Sequence, residues 1–152
     1  MSALKDRLNA DLTAAMKARD ELVTATLRMA LTAVRTEEVA GKAARELSDQ
    51  EVLVVLAKEA KKRREAAEAF TSGNRPALAE RERAEGTVLD KYLPVQLSDE
   101  ELAGLVREGL QESGISEITQ LGKAMKAVQA KVAGRAEGGR VAAEVKRQLA
   151  SA

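Results

Sequence analysis

The sequence predicts an all-α protein of about seven helices in two subdomains, an N-terminal bundle of long helices and a C-terminal three-helix unit. Of its 152 residues, 45% are hydrophobic and 32% are charged, but only 1% are aromatic. A chain rich in Ala, Leu, Glu, Lys and Arg favours helices, whereas strands draw on aromatic and β-branched residues. No stretch alternates convincingly between apolar and polar residues, as a half-buried strand would.

The first two helices are predicted from apolar spacing and from capping residues. Ser2 precedes a segment in which an apolar residue recurs at every fourth position, a spacing that makes one helical stripe. We expect all four residues of this stripe to face the core: Leu4, Leu8, Leu12 and Met16. Asp20 can cap a second helix, which we expect to end near Gly41.

The third and fourth helices have clear start signals. Ser48 followed by Glu51 three positions later has the form of a capping box, in which each side chain satisfies a backbone amide of the other residue. We expect this third helix to stop near Gly73. Pro76 suits the first turn of a fourth helix that reaches about Tyr92, since proline is tolerated where a helical amide has no partner.

The segment 93–97 separates two groups of helices. Pro94 cannot donate a backbone hydrogen bond, and it biases the residue before it away from the helical region. We therefore expect a subdomain boundary here, with residues 1–93 forming the long-helix subdomain and residues 97–152 a compact three-helix subdomain.

The C-terminal subdomain begins with a second capping box, formed by Ser98 and Glu101, and its first helix can end at Gly114. The next predicted helix runs from Ile118 to Gly134, because its apolar residues are three and four positions apart. A last helix has a stripe of apolar residues, Val141, Val145 and Leu149.

The sequence contains no His and no Cys, which excludes several kinds of site. Histidine and thiolate metal centres, Ser-His-Asp triads, cysteine nucleophiles and disulfides cannot be built from it. The acidic residues do not form a convincing catalytic pair, so we expect no catalytic residues, no metal and no cofactor. The longest apolar run, residues 52–57, is far too short for a membrane span, and we expect a cytoplasmic protein without a membrane partner.

The small net charge of +1 conceals a strong polarity near the carboxyl end. Residues 95–117 contain six acidic side chains and one basic, whereas residues 118–152 contain seven basic and two acidic. One interpretation is an RNA-binding surface on which these cations gather to contact phosphates. The other is a Gly-rich turn beside a solvated basic face. The candidate phosphate contacts are Lys123, Lys126, Lys131, Arg135, Arg140, Lys146 and Arg147.

A secondary basic ridge lies on the third predicted helix, where Lys58, Lys61 and Lys62 share a face with Glu65. It could bind phosphate, but a solvated face balanced by neighbouring glutamates is the favoured interpretation. Because single-stranded RNA is usually recognised by stacking on aromatic rings, the two aromatic residues, Phe70 and Tyr92, offer little platform. An RNA partner would therefore be recognised by its folded shape.

Five segments of the sequence together resemble one known family in order and spacing. The most specific are the Tyr-Leu-Pro-x-Gln-Leu junction and the Gly-Lys-x-Met stretch. The resemblance is to the YqeY family, and it covers essentially the whole chain. The matching segments are residues 26–31, 58–65, 92–102, 121–125 and 131–138.

The resemblance implies more than periodicity does. YqeY proteins are similar to the C-terminal tail domain of GatB, a subunit of the tRNA-dependent amidotransferase, and a related module is appended to some glutaminyl-tRNA synthetases. The family fold is all-helical in two parts, and in those relatives the module contacts the outer corner of tRNA. The family's basic C-terminal stretch corresponds here to Lys123, Lys126, Lys131 and Arg135. No catalytic residue is transferred, and the GatB catalytic core is absent.

Three functions follow from these observations. The leading one is a non-catalytic tRNA-binding or tRNA-enzyme accessory module. The alternative is a protein–protein adaptor that docks on an amidotransferase or an aminoacyl-tRNA synthetase. The least favoured is a carbon–nitrogen ligase with glutamine as amido-N-donor, a label that the family carries, because the chain lacks His and Cys.

Overall fold

A computed structural model describes residues 2–151 and confirms the all-α fold, with no strand in that range. The backbone divides into two compact units, Met1–Leu93 and Pro94–Ala152. The first contains α1 (Ala3–Lys17), α2 (Glu21–Glu38), α3 (Asp49–Ser72) and α4 (Pro76–Asp90). The second contains α5 (Asp99–Ser113), a short 3₁₀ helix (Ile118–Gln120), α6 (Leu121–Val132) and α7 (Gly138–Ser151).

Side-chain caps start four of the helices where the sequence predicts them. Ser2 accepts the amide of Lys5 at the start of α1, and Asp20 caps α2 in the same way. The Ser48 and Ser98 hydroxyls cap α3 and α5, and both form complete capping boxes. These caps are local in sequence, so each helix start is fixed by residues only three positions apart.

Two predicted helix boundaries are wrong. The second helix ends at Glu38 and not near Gly41, because the Glu38 carbonyl accepts the amide of Arg45 as the chain turns back. At the start of the sixth predicted helix, Ile118 lies in the 3₁₀ helix and is half exposed, so the α-helix begins only at Leu121.

The core of the first unit is built from leucine and valine of all four helices. Met16 is 49% exposed, which contradicts its predicted place in this core. The reason is geometric, since each step of four residues turns about 40° around a helix and the stripe from Leu4 has rotated by about 120° at Met16. Ala15 is buried in its place. The buried side chains include Leu8, Leu27, Leu31, Val34, Val52, Leu56 and Leu89.

The second unit has its own valine-rich core. Gly114 ends α5 with a φ of 69°, a left-handed conformation that glycine adopts without strain. Ala133 and Gly134 follow α6, also at positive φ, and turn the chain toward α7. Fully buried positions on the three helices are Val106, Ala124, Val128, Val132, Val141 and Val145.

Across residues 2–151, none of the helices combines the length and the apolar character needed to cross a membrane.

Candidate nucleic-acid interface

Lys123 and Lys126 lie on the solvent-exposed side of α6. They are separated by about 60° around the helix, and the opposite side carries the buried Ala124 and Val128. Neither lysine forms an ion pair or a hydrogen bond with any residue in the described range. Both ammonium groups are therefore available to an external anion.

Lys131 lies on a different side of α6, facing the acidic helix α5. Its ammonium donates to Glu112 Oε1 at 3.0 Å and lies 3.8 Å from Glu108 Oε2. The hydrogen bond to Glu112 raises the pKa of Lys131. This lysine connects α6 to α5 and is less exposed than Lys123 and Lys126.

Arg135 and Arg140 hold the turn between α6 and α7 in place. The Arg135 guanidinium donates to the carbonyls of Lys131 and Val132, which are left without helical partners at the end of α6. Arg140 donates to the Leu97 carbonyl at 3.0 Å and to Asp99 Oδ1 at 2.9 Å. Arg140 therefore fastens the start of α7 to the segment that precedes α5.

The two remaining cations are neighbours on α7 but differ in their contacts. Arg147 forms a two-pronged pair with Glu144, at 2.6 Å and 2.9 Å, which lowers the pKa of the Glu144 carboxyl. Lys146 is exposed and pairs with no residue between Ser2 and Ser151.

The structure thus divides the seven predicted phosphate contacts into two groups. Lys123, Lys126 and Lys146 are unpaired within the described chain, whereas the other four are bound to α5, to helix-end carbonyls or to Glu144. Phosphate contact by any of the seven stays a prediction. Spacing along one helix could not have separated the groups completely, because two of the four bound cations, Lys131 and Arg140, are engaged by residues far away in sequence.

The secondary ridge is exposed on α3, as its spacing predicts. Lys62 pairs with Glu59 at 3.0 Å and Lys61 lies 3.9 Å from Glu65, whereas Lys58 makes no such contact in residues 2–151. Glu59 is one of the neighbouring glutamates that the solvated-face interpretation assigned to this exposed face, but it is only 7% exposed. Glu59 lies three residues after the buried Leu56 and so on a neighbouring part of the helix surface, and this spacing could have predicted its burial.

No group of three or more acidic side chains between Ser2 and Ser151 is arranged to hold a metal ion. The described residues therefore present exposed, unpaired lysines on α6 and α7.

The fold and this site define a class: an all-helical protein in two units, the second carrying unpaired surface lysines. A family model described as Yqey-like protein matches residues 5–149, nearly the whole chain. The chain belongs to the YqeY family. A comparison with curated proteins found no match.

Proposed function

We propose that this chain is a non-catalytic tRNA-binding or tRNA-enzyme accessory module of the cytoplasm, related to the tail domain of GatB. In this proposal the carboxy-terminal unit contacts RNA and the helices of residues 1–93 act as a scaffold. The observation that carries it is the exposure of Lys123 and Lys126 on α6 without an acidic partner in the described chain. Unpaired lysines neutralise phosphates without first breaking an intramolecular bond.

The charge arrangement of the second unit supports the proposal. The acidic helix α5 would repel RNA, but Glu108 and Glu112 lie at Lys131 and Asp99 lies at Arg140. These pairs offset part of the acidic charge of α5. The start of α6 has no side-chain cap, so the positive end of the helix dipole adds to the field of Lys123.

The aromatic residues support recognition of shape rather than of bases. Phe70 and Tyr92 both belong to the first unit, and the Tyr92 ring is covered by the Arg7 guanidinium at 4.7 Å from its centroid. The second unit therefore offers phosphate-binding cations and no ring on which a base could stack. Such a surface suits the backbone of a folded RNA.

The test is a titration of bulk tRNA against the wild type and Lys123→Ala/Lys126→Ala at two salt concentrations. Loss of two phosphate contacts should weaken binding and reduce the slope of log affinity against log salt by about 2. The matched control is Lys17→Ala/Lys42→Ala, which removes the same charge from exposed positions of the first unit.

Equal losses in both double variants would mean that only net charge matters, and equal binding by all three proteins would reject the assigned surface. Capture of an aminoacyl-tRNA synthetase or amidotransferase that survives nuclease and high salt, without tRNA binding, would favour the adaptor function.

A further inference from the structure

A groove of about 380 Å³ lies between α2 and α3 in the first unit, remote in sequence from the cations of the second. Apolar side chains line it, among them Met29, Ala33 and Val55. Lys58 and Glu59 bring a positive and a negative group to the same groove. An apolar cleft with a few convergent polar groups, in the size range of about 300 to 1,000 Å³, is the usual form of a small-molecule site.

Glu59 is the unusual residue of this groove because it is a carboxylate more than nine-tenths buried. Its Oε1 accepts from Lys62 at 3.0 Å. Its Oε2 lies 3.9 Å from Arg63 Nη2, which is too far for a hydrogen bond, and no other donor to it is found in residues 2–151. Oε2 is not one of the fully buried atoms that lack a hydrogen-bond partner, so it keeps contact with solvent, and a ligand N–H group that enters the groove can replace water at this oxygen.

Lys58 supplies the opposite charge at the rim. It is exposed, directly precedes Glu59 in sequence and has no ion-pair partner among the described residues. Its ammonium can therefore receive a carboxylate from a ligand. The second cation of the groove, Lys62, is already engaged by Glu59.

The threonines of α2 that line the groove act as acceptors. The Thr32 hydroxyl donates to the carbonyl of Arg28 at 2.8 Å, and the Thr36 hydroxyl donates to that of Thr32 at 2.9 Å. Because each hydroxyl already donates its only proton, it can only accept a hydrogen bond from a ligand. Glu37 adds a further acceptor at the lining. The α2 side therefore suits a cationic donor and does not suit an anion.

We propose that this groove binds a small zwitterion, an α-amino acid with an apolar side chain. Its ammonium donates to Glu59 Oε2, its carboxylate pairs with Lys58, and its side chain lies on Met29, Ala33 and Val55. A simple anion would meet Glu59 and Glu37, and a simple cation would meet Lys58 and Lys62. Only a ligand with both charges can pair with Lys58 and with Glu59 at once. The inference does not depend on RNA binding.

The test uses the full chain and follows backbone amides by NMR during titration with L-leucine and L-methionine. We expect saturable shifts at Thr32, Ala33, Val55 and Glu59. The two half-ligands 4-methylpentanoate and 3-methylbutylamine each lack one charge of leucine and should bind at least about tenfold more weakly, the effect of losing one charge-assisted hydrogen bond.

Variants separate binding from folding. Glu59→Gln keeps the shape but removes the charge, and Lys58→Met changes an exposed residue that forms no hydrogen bond or ion pair in the described chain. Each should weaken leucine binding at least about tenfold, whereas the matched control Lys126→Met, in the second unit, should bind as the wild type does. Absence of shifts with both amino acids, or equal affinity for leucine and its half-ligands, would overturn the proposal. Loss of tRNA binding in the test above would leave it untouched.

Discussion

Gly109 of α5 lies against Val128 of α6 so closely that a Cβ on Gly109 would be 3.0 Å from Val128 Cγ2 and 3.4 Å from its Cα. Val128 is fully buried, so it has little room to move aside. The Lys131 side chain passes the same point, with its Cδ 3.7 Å from that Cβ position. The close approach of the two helices is therefore also what brings Lys131 to the carboxylates of α5.

Gly109→Ala should destabilise the second unit. Alanine is favoured over glycine within a helix by about 1 kcal/mol, but overpacking a tight core contact costs about 1 to 3 kcal/mol. We expect a net loss of about 1 kcal/mol from these opposing effects. Urea unfolding, with amide hydrogen exchange in α5 and α6 to localise the change, measures it.

The matched control is Gly104→Ala on the same helix. A Cβ at Gly104 would have no atom within 4 Å, so only the helix propensity remains. This variant should be more stable than the wild type by about 0.5 to 1 kcal/mol. Stabilisation by both substitutions would show that α5 and α6 can separate at Gly109 without cost.

Acid should weaken the start of α3 through Glu51. Hydrogen bonds from the Arg45 side chain and the Ser48 amide lower the pKa of Glu51 from its ordinary value of 4.5 to about 2. The folded chain therefore holds this carboxylate ionised at a pH where the unfolded chain protonates it. Its stabilising effect is complete above pH 4.5 and disappears as the pH falls through about 2.

Glu51→Gln should lower stability at pH 7 and flatten its decline between pH 4.5 and 2, as measured by urea midpoints across that range. Glu100→Gln is the control, since Glu100 also lies in the first turn of a helix but forms no hydrogen bond or ion pair with residues 2–151. A decline in the Glu51→Gln variant as steep as in the wild type would contradict the assignment.

The features that the sequence could predict are those whose causes lie within a few residues. The capping boxes at Ser48 and Ser98 and the stop at Gly73 each depend on one helical turn, and all three are found. The partners of the cations depend on tertiary packing instead. Glu112 is 19 residues from Lys131, and Leu97 is 43 residues from Arg140, so no local pattern connects them.

The same distinction explains the errors within helices. A strict spacing of four residues assigns Met16 to the core, but the stripe drifts around a straight helix until that residue faces solvent. The burial of Glu59 was not predicted, because a charged residue is expected to be exposed even where its spacing places it on the apolar side of a helix. Its burial follows from the packing of α3, not from its residue type.

Tyr92→Phe should destabilise the first unit by about 1 kcal/mol, the usual net worth of a hydrogen bond. The Tyr92 hydroxyl donates to Asp11 Oδ2 at 2.5 Å and so ties the segment after α4 to α1, 81 residues earlier. Burial, together with this bond, raises the pKa of Tyr92. The loss stays moderate because the Asp11 side chain is 44% exposed and water can replace the hydroxyl.

Tyr92→Leu is the companion variant. It removes the hydroxyl and also the ring that the Arg7 guanidinium covers, so it should lose about 0.5 to 1 kcal/mol more than Tyr92→Phe. Thermal unfolding of the three proteins at one pH gives the comparison. A Phe variant as stable as the wild type would show that Asp11 gains as much from water as from Tyr92.

The division of the basic residues into bound and unpaired groups predicts different effects on stability. Arg140→Ala leaves the carbonyl of the buried Leu97 without this donor and removes the pair with Asp99. We expect a loss of about 1 to 2 kcal/mol in the second unit, the cost of an unsatisfied buried group. Lys123→Ala removes an exposed side chain without a partner in the described chain and should change stability by less than about 0.5 kcal/mol. Urea unfolding midpoints of the two variants measure these losses. Equal losses would mean that Lys123 also stabilises the fold through a contact. In that case α6 would present fewer free cations to a phosphate than its exposed surface implies.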